Sequence, residues 1–208
     1  MKALKIISSM AMVLFLVACG DKGECYNSHK KLMEMKSYTA DATITVHGNK
    51  SSSIYKVKQT VEDPNNVKIE TIEPKELKGK TVVYSENKWK VYHPLIKEVV
   101  EFDALRDIDE IIYMGIIQKK FIMSEDIKEK LTEKDGERCI EFKAKLPNSN
   151  EHRNYAKLYI TEKDATPTIL EIYNEDNKVT VEVKYTNFKY NPSIDKGAFK
   201  LEKLSSNR

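Results

Sequence analysis

Alternation of apolar and polar residues constrains this chain more than any other feature. Tyr38, Ala40, Ala42, Ile44 and Val46 alternate with Thr39, Asp41, Thr43 and Thr45. A period of two sends successive side chains to opposite faces, so such a run is a half-buried strand. Similar strand-like runs recur at 55–61, 67–71, 80–85, 88–92, 96–102, 127–133, 140–146, 156–160, 166–173 and 178–188. Turn residues separate them: Asp63-Pro64-Asn65-Asn66, Glu86-Asn87, His93-Pro94, Asp135-Gly136 and Glu175-Asp176-Asn177 among others. The spacing predicts an antiparallel meander of about ten or eleven strands. One apolar face per strand implies a large curved sheet, an incomplete barrel rather than a closed one.

The alternation breaks over 104–123. Leu105, Ile108, Ile112 and Ile116 follow helical spacing, with Asp107, Asp109 and Glu110 early and Lys119 and Lys120 late, as a helix dipole favours. Yet Ile111, Ile112, Tyr113, Met114, Ile116 and Ile117 make the segment apolar almost all round. Such a segment is buried on more than one side or meets another molecule. The expected fold is therefore mainly β (α+β), a curved antiparallel sheet wrapping a central helix. A second, short helix is expected over 28–35, with Ser28 as its cap and Leu32 and Met35 on one side.

The N-terminus reads as a secretory signal. Lys2 and Lys5 precede an apolar run that ends at Cys19. About 12 helical residues reach only ~18 Å, short of the ~30 Å core of a bilayer. The stretch Leu16-Val17-Ala18-Cys19-Gly20 resembles the lipobox of bacterial lipoproteins. That resemblance implies a diacylglycerol on the Cys19 thiol, with Cys19 as first mature residue; two acyl chains hold a protein durably to a membrane. The alternative is an ordinary cleaved signal with an incidental cysteine. The expected division is a lipoprotein signal at 1–18, a lipidated polar tether at 19–27, one domain at 28–204 and a tail at 205–208.

Lys and Arg number 35 against 32 acids. The charges interleave, which makes a solvated surface and argues against a nucleic-acid binder. Outside the cytoplasm, Cys25 and Cys139 could form a disulfide, or be one buried thiol and one thiol on the tether. Neither has a Cys or His at ligand spacing, so no metal is expected. His29, His47, His93 and His152 form no metal-binding pair, and nucleophile and phosphate-loop motifs are missing. The acids Asp107, Asp109 and Glu110 suit the start of a helix better than acid–base chemistry. Tyr84, Trp89 and Tyr92 are either a sugar-stacking platform or cross-strand core partners. The balance favours a binder without catalytic residues or cofactor.

Several segments resemble the LolA/LolB-like lipoprotein carriers: Tyr38-Thr39-Ala40-Asp41-Ala42, Pro64-Asn65-Asn66-Val67-Lys68-Ile69-Glu70, the strand-turn-strand 84–94 ending in His93-Pro94, and the closing stretch 188–199. Within that fold, the lipobox, lysine-rich composition and size are most similar to the GerS group of clostridial spore-germination lipoproteins. The resemblance implies a protein that is not an enzyme. It implies a partner, a CwlD-type N-acetylmuramoyl-L-alanine amidase carrying its own zinc, which such proteins bind and activate. Muramic-δ-lactam would then form in spore cortex peptidoglycan, the mark needed for germination. It also implies a location on the forespore or spore membrane, facing the cortex. The candidate interaction or cavity surface is the apolar stretch Ile111, Ile112, Tyr113, Met114, Ile116 and Ile117 with the strand residues Val99, Val100 and Phe102. Edge strands leave room for a homodimer by strand exchange. The alternative function is a lipid or lipoprotein carrier, or acceptor, holding acyl chains in its concave cavity. A glycan sensor using Trp89 and Tyr92 is a third.

Overall fold

The computed structural model describes residues 18–62, 66–103, 112, 114–195 and 197–201, with side chains from Cys25 onward. The elements run α1 (Ala18–Glu34), β1 (Ser37–His47), β2 (Ser52–Glu62), β3 (Asn66–Glu73), β4 (Thr81–Ser85), β5 (Lys88–His93), β6 (Glu98–Asp103), α2 (Lys119–Ile122), β7 (Lys128–Lys134), β8 (Glu137–Asn150), β9 (Arg153–Thr161), β10 (Pro167–Tyr173) and β11 (Val179–Tyr190). The strands form one curved 11-stranded sheet in the order β6-β5-β4-β3-β2-β1-β11-β10-β9-β8-β7. It is two meanders laid side by side, joined where β1 pairs antiparallel with β11.

Local chemistry sets the register. Glu86 and Asn87 both adopt positive φ (54° and 58°), as do Asp135 and Gly136 (54° and 83°). Two-residue turns of this hand match the twist of their flanking strands. They pair Ser85 with Lys88 and Lys134 with Glu137, which fixes the side-chain faces of β4–β5 and β7–β8. The inner face then collects Ala42, Ile44, Val57, Ile69, Phe142, Leu158, Ile172 and Val183 into one buried cluster.

Because β6 and β7 lie at opposite edges, the chain between them must cross the sheet. The expected central helix lies partly on 104–111 and 113, outside the described residues. Over the rest of the expected span it is not continuous. Residues 116–118 are not helical, and α2 has four residues. Gly115 explains the break. Its φ of +74° is left-handed, and its carbonyl bonds to side chains of the sheet instead of to a following helical amide. A Cβ here would also sit 2.9 Å from Val183 Cγ1. Gly115→Ala is expected to lower stability by about 1–3 kcal/mol in urea unfolding, from backbone strain and overpacking together.

The N-terminal helix differs from expectation in the other direction. It extends back past Ser28 at least to Ala18, so the expected polar tether is helical backbone and Ser28 is a buried mid-helix residue instead of a cap. Cys25, Ser28, Leu32 and Met35 follow the three-four spacing of one helical stripe. Leu32 and Met35 join the inner core, and Cys25 packs against it. Polar residues fasten the same helix. His29 pairs with Glu129 on β7 and meets the edge of Phe142. Lys31 donates to the Asp164 carbonyl at 2.5 Å and lies 4.7 Å above the Tyr190 ring.

The disulfide expectation is corrected: Cys25 and Cys139 are not joined. Cys25 packs against the inner core, whereas Cys139 clusters with Tyr159 and Ile169 on the outer face. The sheet stands between the two sulfurs, and no disulfide can bridge it. Burial, reinforced by Glu141, pushes the Cys139 thiol above its ordinary range, so it serves as a small hydrophobe.

Candidate interaction surface

The segment crossing the inner face is locked from three strands. Gln59 on β2 is 1% exposed and donates through Nε2 to the carbonyls of Met114 (3.2 Å) and Gly115 (3.1 Å). Tyr38 on β1 donates to Gln59 Oε1 at 3.3 Å and accepts from the Ile117 amide at 3.1 Å. Tyr185 on β11 donates to the Gly115 carbonyl at 2.7 Å. These bonds satisfy backbone groups that an irregular buried segment would otherwise strand. Ile116 and Ile117 are consequently buried core, Ile112 is buried in the same cluster but lines a cavity by α2, and Met114 is half-buried. Ile111 and Tyr113 lie outside the described residues. Gln59 had a readable signal: it is a polar residue at an inward position, in phase with Val57 and Val61. Gln59→Ala orphans the Met114 carbonyl and leaves a void, with an expected cost of about 2 kcal/mol in chemical denaturation.

The strand candidates are placed differently. Val82, Val91 and Val100 form one cross-strand row on the inner face of β4–β6, and Tyr84, Trp89 and Phe102 form the next. The rows continue the core stripe outward and lose cover as they go. Tyr84 is buried and Trp89 packs on the core, but Phe102 is 46% exposed and Val100 51%. Leu95 and Ile96, in the β5–β6 turn, are 74% and 59% exposed. Val99 is half-buried beside Tyr92 on the other face. Among the described residues, the arm from β4 to β6 thus ends in exposed apolar side chains along the outermost strand. Exposed apolar patches of this size are a common feature of interaction sites.

The aromatic residues do not build a sugar platform. Trp89 and Tyr92 stand three apart on one strand and therefore face opposite sides. Trp89 instead leans on Tyr84, centroids 4.9 Å apart at 51°, as a cross-strand packing pair. The other three histidines make local contacts: His47 with Ser52 Oγ at 3.1 Å, His93 Nδ1 with the Leu95 amide at 3.3 Å, and His152 with Glu151 at 3.3 Å.

The outer face carries a feature the alternation pattern hides. Glu141 and Glu171 are buried there beneath lysine and tyrosine side chains. Lys157 and Lys130 lie 3.2 Å and 3.6 Å from Glu141; Lys134 lies 2.7 Å from Glu171, which also accepts from the Tyr173 hydroxyl at 2.5 Å. Lys143 covers Tyr155 at 4.0 Å, and Tyr155 stacks on Tyr173 at 4.7 Å. Burial of these carboxylates is satisfied internally, so the lattice is structural. A half-open cavity of about 430 Å³ lies by α2, walled by Ile112, Phe121, Met123 and Pro147 with Lys120 and Lys145 also lining it. No helix among the described residues is long and apolar enough to cross a membrane.

Comparison with known proteins supplies the context for this surface. The sporulation protein YdcC of Bacillus subtilis (strain 168) is 23% identical over 203 residues. The match takes in 95% of this chain but only 59% of that protein's length. A chain of the solved structure of the CwlD amidase from Clostridioides difficile in complex with the GerS lipoprotein is 29% identical. That match covers 77% of this chain and 90% of that one, with a TM-score of 0.54. An uncharacterized conserved protein from Thermus thermophilus shares the fold alone, at 13% identity and a TM-score of 0.57 over 88% of this chain and 95% of that one. The match to a chain of that complex bears out the GerS-like fold expected from the sequence. A family model described as sporulation protein YdcC-like matches residues 1–199, and the chain belongs to that family.

Proposed function

We propose that this chain is a non-enzymatic, membrane-anchored lipoprotein that binds and activates a CwlD-type N-acetylmuramoyl-L-alanine amidase during sporulation. The observation that carries the reading is its 29% identity, over 77% of its length, to a chain of the amidase–GerS complex. The exposed apolar end of the β4–β6 arm gives such a partner a place to dock. In this reading Cys19 carries a diacylglycerol. Because α1 runs unbroken from Ala18 to Glu34, about 20 Å of helix separates the anchor from the buried Leu32. The domain then stands on the membrane on a helical stalk, holding the amidase over the cortex. The zinc belongs to the amidase, and the product is muramic-δ-lactam in cortex peptidoglycan. A homodimer by strand exchange is compatible with the open sheet edges.

The carrier alternative asks the inner face to open for acyl chains. Gln59, Tyr38 and Tyr185 tie down the segment that would have to leave, and Ile112, Ile116 and Ile117 are buried in the core cluster beneath it. That weighs against a lipid cargo on the inner face. Mixing the purified full chain with the amidase of the same organism tests the reading. A complex stable through gel filtration is expected. Separate elution at micromolar concentrations, with amidase activity unaffected by the lipoprotein, rejects it.

A further inference from the structure

The two edges of the sheet are not equivalent. On β7, the sequence Lys128-Glu129-Lys130-Leu131-Thr132-Glu133-Lys134 alternates charge along nearly its whole length, and α1 is fastened to it through His29. Charged edges of this kind discourage strand addition. On β6, the sequence Glu98-Val99-Val100-Glu101-Phe102-Asp103 has three apolar residues in the middle and no base. Glu101 is satisfied within the hairpin, 2.7 Å from Lys88 and 3.6 Å from Lys90. Lys88 stands opposite Asp103 but gives its hydrogen bond to Glu101. The strand is left with an acid at each end, Glu98 and Asp103, around an exposed apolar centre.

This charge placement selects the occupant. A second copy paired antiparallel at this edge keeps its inner face on the same side, so only residues of one face can stand opposite each other. Centring on Val100 sets Glu98 against Phe102 of the partner subunit, centring on Glu101 sets Glu101 against Glu101 of the partner subunit, and β6 brings no base to either terminal acid. Like charges directly opposite one another destabilise a strand pair. A segment with a basic residue at each end, five positions apart, meets both acids and leaves its intervening apolar side chains against Val99, Val100 and Phe102. We propose that β6 is a docking edge completed by a strand of this chemistry from a partner protein. The pairing is β-augmentation: main-chain hydrogen bonds hold the added strand, and the two terminal charges and the apolar centre choose it. The proposal takes only the partner's identity from the amidase reading; the edge chemistry stands without it.

The test uses the full chain and two blocked hexapeptides. One has lysine at both ends with valine and threonine alternating between them; the other has glutamate at both ends. Amide hydrogen exchange over 98–103 is followed at low salt. The lysine-ended peptide is expected to slow exchange of the β6 amides at least tenfold, and the glutamate-ended peptide to leave it unchanged. In the double variant Glu98→Lys, Asp103→Lys the preference inverts. Both positions are exposed, so the variant keeps its fold. Unchanged β6 exchange with either peptide, or equal protection by both, overturns the proposal. Amidase capture without β6 protection keeps the amidase reading and discards the edge; peptide protection without amidase capture does the reverse.

Discussion

Above pH 10 the folded protein loses stability steeply, by up to about 5 kcal/mol per pH unit. Four tyrosines drive this. Burial holds the Tyr159, Tyr173, Tyr185 and Tyr190 hydroxyls well above the ordinary phenol range. Glu171 adds to the effect at Tyr159 and Tyr173, Tyr38 at Tyr185, and Asp164 at Tyr190. In the unfolded chain these groups ionise near pH 10; in the folded chain they keep their protons. The unfolded state therefore binds fewer protons, and stability falls as pH rises, by about 1.4 kcal/mol per unit for each tyrosine. Lys134 acts in the same direction. Burial opposes its charge, but the hydrogen bond and charge of Glu171 outweigh that and raise its pKa. Its contribution is complete below about pH 10.4 and is lost as pH climbs through the folded value. Urea unfolding between pH 9 and 11 measures the slope. Tyr185→Phe keeps the ring in the core and is expected to remove about a quarter of it. A flat profile across that range would mean that the tyrosines ionise in the folded state.

Charging the arm abolishes partner binding without unfolding the domain. In the double variant Val100→Lys, Phe102→Lys, two half-exposed apolar side chains become cations at the centre of the proposed interface. Buried apolar anchors of this kind carry most of the affinity of an interface, and an unpaired charge placed there costs several kcal/mol. Amidase affinity is expected to fall at least a hundredfold, about 2.7 kcal/mol or more. The melting temperature is expected to stay within a few degrees of the parent, since neither residue is core. The control Lys130→Ala, on the opposite edge, leaves binding unchanged. Undiminished affinity in the double variant would move the interface away from the β4–β6 arm.

The strands were legible because a half-buried sheet writes its inner face into every second residue. Residues 38–46 alternate without a break, and Asp135-Gly136 and Glu86-Asn87 name their turns by chemistry. The sequence does not say which edge strands meet, because pairing of β1 with β11 joins residues far apart in the chain. The crossing segment misled for a related reason. Ile112 and Ile116 have helical spacing, yet their burial comes from polar clamps on three distant strands, and Gly115 ends the helical path. In α1 the opposite occurred: a polar stretch hid a helix whose described packed stripe runs back through Ser28 to Cys25. Of the candidate surface, Val100 and Phe102 are exposed on the arm, while Ile112, Ile116 and Ile117 became core. Alternation identifies which side chains share a face. It carries no information about where along that face the cover runs out.

Amidase turnover on isolated cortex peptidoglycan, with and without one equivalent of the purified lipoprotein, tests the central claim most directly. If the chain is an activating partner, muramic-δ-lactam precursor accumulates only when both proteins are present, and the Val100→Lys, Phe102→Lys double variant fails to support it. Full amidase turnover in the absence of this protein would contradict that claim.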